Sequence, residues 1–346
     1  MSYNLDDLRK QAAMKMTQPH TTQLTDNFGR SIEYLRLSVT DRCDLRCQYC
    51  MPKDFKDFQE PSEWLSFDEI ERIIRAFGEL GTRRIRITGG EPLVRANLPE
   101  LASRLAALPG IEDLSLSTNA TRLSKHAETL RAAHISRINV SLDTLQAKRF
   151  KEMTGGKLQK VLDGLMAAKA AGFAPIKINM VVLKDTNEDE IEDMVEFCIE
   201  HDFTLRFIEI MPMGATGLDA THQYVNLQTV KARLAERFDL VPGMMPGGGP
   251  ARYVQVAGTD LRIGFITPMS QHFCETCNRV RLSVDGTLYM CLGQDDSYPL
   301  RDILRNGCSD DELKQHIAKA IQLKPERHEF TTNPGKIVRF MSHTGG

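Results

Sequence analysis

Between residue 32 and about residue 210, short apolar-rich runs alternate with amphipathic segments of helical period. This is the rhythm of repeated βα units around a parallel sheet. The runs predict strands over 32–39, 83–88, 113–118, 136–141, 175–182 and 203–210. After the first, Ile70, Ile73, Ile74, Phe77 and Leu80 follow the i, i+3, i+4, i+7 pattern behind a capping box of Ser66 and Glu69. A second helix carries Ile191, Met194, Val195, Cys198 and Ile199 behind Asn187 and Glu190, which puts Cys198 on a buried face as core packing. Six units are too few to close an eight-stranded barrel. The expected fold class is therefore α/β, a partial (βα)6 TIM-like barrel.

The pattern changes at the Gly/Pro-rich stretch VPGMMPGGGP, residues 241–250. Beyond it, short strands are expected at 252–256, 261–267, 279–284 and 287–290, with helices near 299–306 and 310–323, the latter capped by Ser309 and Glu312. The division is thus an N-terminal extension (1–21), a barrel (22–240) and a smaller C-terminal domain (241–346), with residues 1–20 and the tail after 324 extended or mobile.

Charge narrows the function. Lys plus Arg (44) nearly balances Asp plus Glu (46), so the chain lacks the basic excess of a general nucleic-acid binder and any anion site must be local. No stretch approaches the roughly 18 apolar residues of a membrane span, and the N-terminus lacks the apolar core of a secretion signal. A cytoplasmic protein with no nucleic acid and no membrane partner is expected. In a large intracellular chain thiols stay reduced, and clustered ones usually bind metal. Six of the eight cysteines form two triads, Cys43/Cys47/Cys50 and Cys274/Cys277/Cys291; Cys198 and Cys308 stand apart and read as structural.

CDLRCQYC places three thiolates in one short segment, and soft ligands of this kind select Zn, Cu(I) or an iron–sulfur cluster. No His, Asp or Glu stands just downstream as an obvious fourth ligand, so one metal position would stay open, as catalysis needs. The competing reading is a zinc site completed by a distant residue. The second triad again lacks an unambiguous fourth ligand, although His272 could complete a Cys3His zinc set.

Parallel strands are usually near-continuous apolar runs. Here Arg36, Arg84, Arg86, Lys177 and Arg206 interrupt four of the six barrel strands at period two, and Arg279 and Arg281 do the same beyond the second CxxC. On the helix-covered face these charges would be buried at several kcal/mol each. They are expected to line the lumen and face an anion such as a polyphosphate, which Arg forks suit. The alternative is pairing with carboxylates such as Glu33 or Glu209.

CxxxCxxC with Tyr49 before the third cysteine resembles the signature of the radical S-adenosylmethionine (SAM) superfamily, and TGGEP (88–92), at a strand end, resembles its Gly-Gly-Glu motif. Thr118-Asn119 and Ser141-Asp143 lie at further strand ends, where such barrels carry their sites. With the second triad, the NRVRL segment and the terminal Gly345-Gly346, residues 22–346 are similar to the GTP 3',8-cyclase family. The resemblance implies a C-terminal iron–sulfur domain and two 4Fe-4S clusters, one on Cys43, Cys47 and Cys50 and one on Cys274, Cys277 and Cys291. It implies SAM contacts from Tyr49, Gly90, Ser141 and Met211. It implies GTP contacts from Arg36, Arg86, Thr118, Lys177, Arg279 and Arg281, with Arg84 and Arg206 at the phosphates. Arg279, Arg281, Gly345 and Gly346 would serve catalysis, the glycine tail entering the active site. The implied reaction is conversion of GTP to 3',8-cyclo-7,8-dihydro-GTP in molybdenum cofactor biosynthesis. The implied partners are a reductant such as flavodoxin or ferredoxin, cyclic pyranopterin monophosphate synthase downstream, and a second copy in a homodimer. A radical SAM peptide-modifying enzyme would not need the strand cations, and a noncatalytic iron–sulfur sensor would not need TGGEP.

Overall fold

The computed structural model describes residues 23–245 and 249–345. Six parallel strands, β1 (Tyr34–Ser38), β2 (Arg84–Thr88), β3 (Asp113–Thr118), β4 (Arg137–Ser141), β5 (Ile176–Val181) and β6 (Thr204–Ile208), pair in chain order, joined by helical crossovers. The α/β partial barrel is therefore present, each strand within about two residues of its predicted limits. The later strands are β7 (Leu240–Gly243), β8 (Arg252–Val256), β9 (Arg262–Ile266), β10 (Arg279–Leu282), β11 (Thr287–Tyr289) and β12 (Ser297–Pro299).

The segment after residue 240 does not make a separate sheet. β9 pairs parallel to β6 and β10 pairs parallel to β1, so one twelve-stranded sheet runs β12-β11-β10-β1-β2-β3-β4-β5-β6-β9-β8-β7. Its two parallel edges are consecutive in the chain. Loop 267–278, which carries Cys274 and Cys277, therefore bridges the open side of the barrel. Neither β7 nor β12 was anticipated; each contains a proline, Pro242 or Pro299, that blurs the strand signal.

Alternate strand residues, Leu35, Leu37, Ile85, Ile87, Ile138 and Ile178 among them, are fully buried against the helices. Helix Phe67–Glu79 packs Ile70, Ile73, Ile74 and Phe77 into this core and begins at the predicted Ser66/Glu69 capping box; Ser309/Glu312 caps helix Asp310–Ile321 in the same way. Helix Ile191–His201 buries Cys198 as expected, but the Asn187/Glu190 cap is a correction. Asn187 instead accepts from Leu183 N and donates to the Asp143 and Val181 carbonyls, while Glu190 accepts from Thr144 Oγ1 and Leu145 N and pairs with Arg149. These side chains tie the β4 and β5 ends together rather than start a helix. Among the described residues no helix is long and apolar enough to cross a membrane.

Candidate active site: two cysteine triads and a cationic cavity

At the C-terminal end of β2 the chain doubles back against the first cysteine loop. Gly90 N donates to the Thr40 carbonyl and Glu91 N to the Arg42 carbonyl, both at 2.8 Å. Only glycine permits this approach: a Cβ on Gly90 would lie 2.3 Å from the Arg42 oxygen, and one on Gly89 equally close to that of Thr40. Buried Glu91 accepts from Leu93 N, Thr118 Oγ1 and Asn119 N, yet desolvation still lifts its carboxyl to about 7. Thr118 is thus engaged with Glu91. It is not among the residues lining the cavity described below.

The first triad is half-buried among negative neighbours. Desolvation raises the Cys43 thiol to about 11 and Cys50 to about 12, and Cys47 lies well above its ordinary value; Glu91, Asp44 and Asp143 and the other two sulfurs push in the same direction. Tyr49 donates to Asp143 Oδ2 at 2.7 Å, and burial holds Asp143 at about 6 although Tyr49 and Val181 N both donate to it. Ser141 ends β4 with its side chain exposed. The tail reaches this mouth: Ser342 N faces the Cys50 sulfur, and Gly345, at φ +68°, sits where a Cβ would be 2.3 Å from the Thr88 side chain. Gly346 lies outside the described residues.

Inside the barrel the strand register aligns the cations. Arg36 stands opposite Arg86 on one side and Arg281 on the other, and Arg206 stands opposite Asn179. A cavity open to solvent is lined by Arg36, Arg86, Arg206, Arg279 and Arg281, by Cys274, Cys277 and Cys291, and by Met211. None of its described lining residues is a carboxylate. A smaller adjoining space takes in Arg84, Arg137 and Lys177. Of the two carboxylates considered as partners, Glu33 does meet Arg84, at 3.4 Å. Glu209 does not meet Arg206; it accepts from Tyr224, Ser270 and Met269 N, and Arg206 donates to Asn139 instead.

The cavity is electrostatically incomplete. The Nε atoms of Arg36, Arg206, Arg279 and Arg281 and Oδ1 of Asn179 are buried without a hydrogen-bond partner among the described residues. Neighbouring strands lie roughly 5 Å apart, a spacing at which two unit charges repel by about 3 kcal/mol at an effective dielectric constant of about 20. Burial, then Arg281 and Arg86, hold the Arg36 guanidinium well below its ordinary value, and burial with Arg206 brings Lys177 to about 7. An anionic ligand bearing several acceptor oxygens satisfies both the orphaned donors and the excess charge.

The second triad has the opposite surroundings. Burial would raise Cys277, but Lys324 and Arg279 outweigh it and hold the thiol at about 7. Burial raises Cys274. His272, the possible zinc ligand, instead faces Glu275 at 3.6 Å. No disulfide joins any of the eight cysteines, and among the described residues no three Cys, His, Asp or Glu side chains converge as a single ion would require. The donor chemistry, three free thiols per site and orphaned donors between them, fits two clusters and an anionic substrate.

The comparisons agree with this geometry. The Radical SAM superfamily model matches residues 37–198, and the model for Molybdenum Cofactor Synthesis C matches 203–330. The structure of Streptococcus suis SuiB bound to S-adenosylmethionine superposes with a TM-score of 0.57 at 18% identity, covering 94% of this chain and 78% of that one, a likeness of fold. Fold and site together define a radical SAM enzyme with an additional C-terminal cysteine site. The chain is 48% identical to the GTP 3',8-cyclase of Hydrogenovibrio crunogenus over 93% of this chain and 99% of that protein, and 48% identical to that of Ectopseudomonas mendocina over 94% and 100%. It belongs to the GTP 3',8-cyclase family. Its cofactors are those of the class, two 4Fe-4S clusters and SAM.

Several residues of the site escaped the sequence reading. Asn179, two positions beyond Lys177 on β5, could have been found by the same alternation. Arg137, beside Lys177 but paired with Asp113, heads a strand in the same way. Lys324, Arg30 and Arg339 reach the second triad from segments with no periodic signal.

Proposed function

We propose that this chain converts GTP to (8S)-3',8-cyclo-7,8-dihydro-GTP, with SAM handled at Cys43, Cys47 and Cys50 and GTP held between the two triads. The observation that carries the reading is the cavity itself: five arginines, no described carboxylate, and four buried Nε atoms with no partner among the described residues, ending on the second triad. Cys43, Cys47 and Cys50 would hold the first cluster, which with SAM would supply radical hydrogen-abstraction chemistry directed at C3' of the ribose.

The residues contribute placement and shielding. Gly90, by letting the chain pass within hydrogen-bond distance of the cysteine loop, shapes the seat of SAM together with Tyr49, Ser141 and Met211. Arg36, Arg86 and Arg206, with Lys177 and Arg84 in the adjoining space, neutralise the triphosphate and fix the ribose relative to the first triad, converting a bimolecular encounter into a positioned one. Arg279 and Arg281 hold the guanine end beside Cys274, Cys277 and Cys291. Gly345, against Thr88, closes the mouth and keeps water from the reacting carbon. Residues 22–240 would carry the SAM chemistry and 241–346 the second cluster. A peptide substrate would leave the arginine row without its counterion.

The family further suggests an electron donor such as flavodoxin or ferredoxin, transfer of product to cyclic pyranopterin monophosphate synthase, a homodimer and a cytoplasmic setting. The test is anaerobic incubation with SAM, dithionite and GTP deuterated at C3', followed by mass spectrometry. Deuterium in 5'-deoxyadenosine together with cyclised nucleotide is expected; deoxyadenosine formed without dependence on GTP would overturn the substrate.

A further inference from the structure

Besides Arg279 and Arg281, one buried cation hydrogen-bonds at each cysteine of the second triad, and these three come from different parts of the chain. Arg30, before β1, donates from Nη1 to the Cys274 carbonyl at 2.8 Å. Arg339, in the tail, donates from Nη2 to the Cys291 carbonyl at 2.9 Å. Lys324, three residues beyond helix Asp310–Ile321, donates from Nζ to the Cys277 sulfur at 3.7 Å and to the carbonyls of Arg279 and Met290 at 2.9 and 2.7 Å.

Their charges are balanced differently. Arg30 forms a buried pair with Asp26 at 2.6 Å, and Arg339 pairs with Asp295. Lys324 is 3% exposed and has no carboxylate partner among the described residues; two of its three acceptors are neutral carbonyls and the third is a sulfur. A buried ammonium without a counterion costs several kcal/mol. Among the described residues, the only candidate counterion is the negative charge of the thiolates and the cluster they would hold. Arg279 and Arg281 also bear on the triad, but they line the cavity, where a bound anion offsets them; Lys324 is not among the cavity-lining residues.

Building on the reading above, we infer that Lys324 is a positioning residue that sets the reduction potential of the second cluster, as its uncompensated charge, while Arg30 and Arg339 serve as neutralised anchors of the loop backbone. Adding an electron increases the negative charge beside the ammonium, so Lys324 favours the reduced cluster. Charge and hydrogen bonding at cluster sulfurs are the levers by which proteins tune such sites.

The test uses the full chain with Cys43, Cys47 and Cys50 replaced by Ala, so that only the second cluster reports. It is loaded anaerobically with iron and sulfide and titrated by EPR at controlled potential without GTP. Lys324→Met is expected to lower the reduced-to-oxidised ratio about tenfold at fixed potential, about 59 mV for a one-electron couple. Lys324→Arg should restore most of that ratio, and Arg30→Gln and Arg339→Gln should lower thermal stability with little change in ratio. An unchanged ratio in Lys324→Met, an equal shift in Arg30→Gln, or a folded Lys324→Met chain that holds no iron would overturn the inference alone. Failure of the Lys324-intact chain to hold iron at this triad would overturn the underlying reading of the site as well.

Discussion

The two cysteine triads are alike in ligand type and opposite in surroundings. Around the first, Glu91, Asp44 and Asp143 add to burial and drive the thiols up; around the second, Lys324, Arg279 and Arg281 oppose burial and bring Cys277 down to about 7. The first triad sits under the strand ends with the tail packed over it, while the second forms one wall of the arginine-lined cavity. The same ligand type is thus placed in two fields. An electronegative pocket suits a cluster that must give its electron away, and an electropositive one suits a cluster that meets an anionic substrate.

The comparison breaks most sharply at the cysteines. Cys47→Ala should reduce SAM cleavage to background in a deoxyadenosine assay, since it removes a proposed ligand of the first cluster. Next come the cavity arginines. Arg36→Met removes a charge-assisted contact of about 1.5–3 kcal/mol, so calorimetry should find GTP affinity about 10- to 100-fold weaker with SAM binding unaffected. The same substitution should raise the melting temperature of the unliganded chain, because it relieves repulsion from Arg281 and Arg86.

Gly345→Ala introduces a Cβ against Thr88 at a left-handed φ. A strain of roughly 1–2 kcal/mol should displace the tail and lower cyclised product about tenfold, with first-cluster iron content unchanged. Lys177 gives a pH signature. Held at about 7 when unliganded, it is increasingly neutral above that pH; phosphate pulls its pKa back up, so binding takes up a proton. GTP affinity should therefore fall as pH rises above 7, by at most about tenfold per unit. Calorimetry in buffers of different ionisation heat measures the uptake, and Lys177→Met should flatten the dependence. The smallest effect lies away from both triads: Ser309→Ala, which removes a helix cap, should cost about 1 kcal/mol of stability in chemical denaturation and leave SAM cleavage unchanged.

What the chain discloses locally, it disclosed well. β1 to β6 follow from apolar runs whose alternate residues face the helices, and the cations at period two point to one side because strand alternation is a local rule. Pairings between distant side chains have no such rule: Glu33 meets Arg84 as one reading allowed, whereas Glu209 accepts from Met269 N and Ser270 Oγ in the loop after β9 rather than from Arg206. Asn187 and Glu190 have the spacing of a cap, yet they hold strand ends together because Asp143, Thr144 and Arg149 compete for them. The continuity of the sheet after residue 240 is likewise a tertiary fact, since nothing near β9 or β10 announces β6 or β1 as its partner.

The most direct test of the two-field account is the product split of Cys291→Ala, incubated anaerobically with SAM, GTP and dithionite after reconstitution. 5'-Deoxyadenosine should still form at the intact first triad while cyclised nucleotide is lost. Parallel loss of both products, or normal cyclisation, would contradict it.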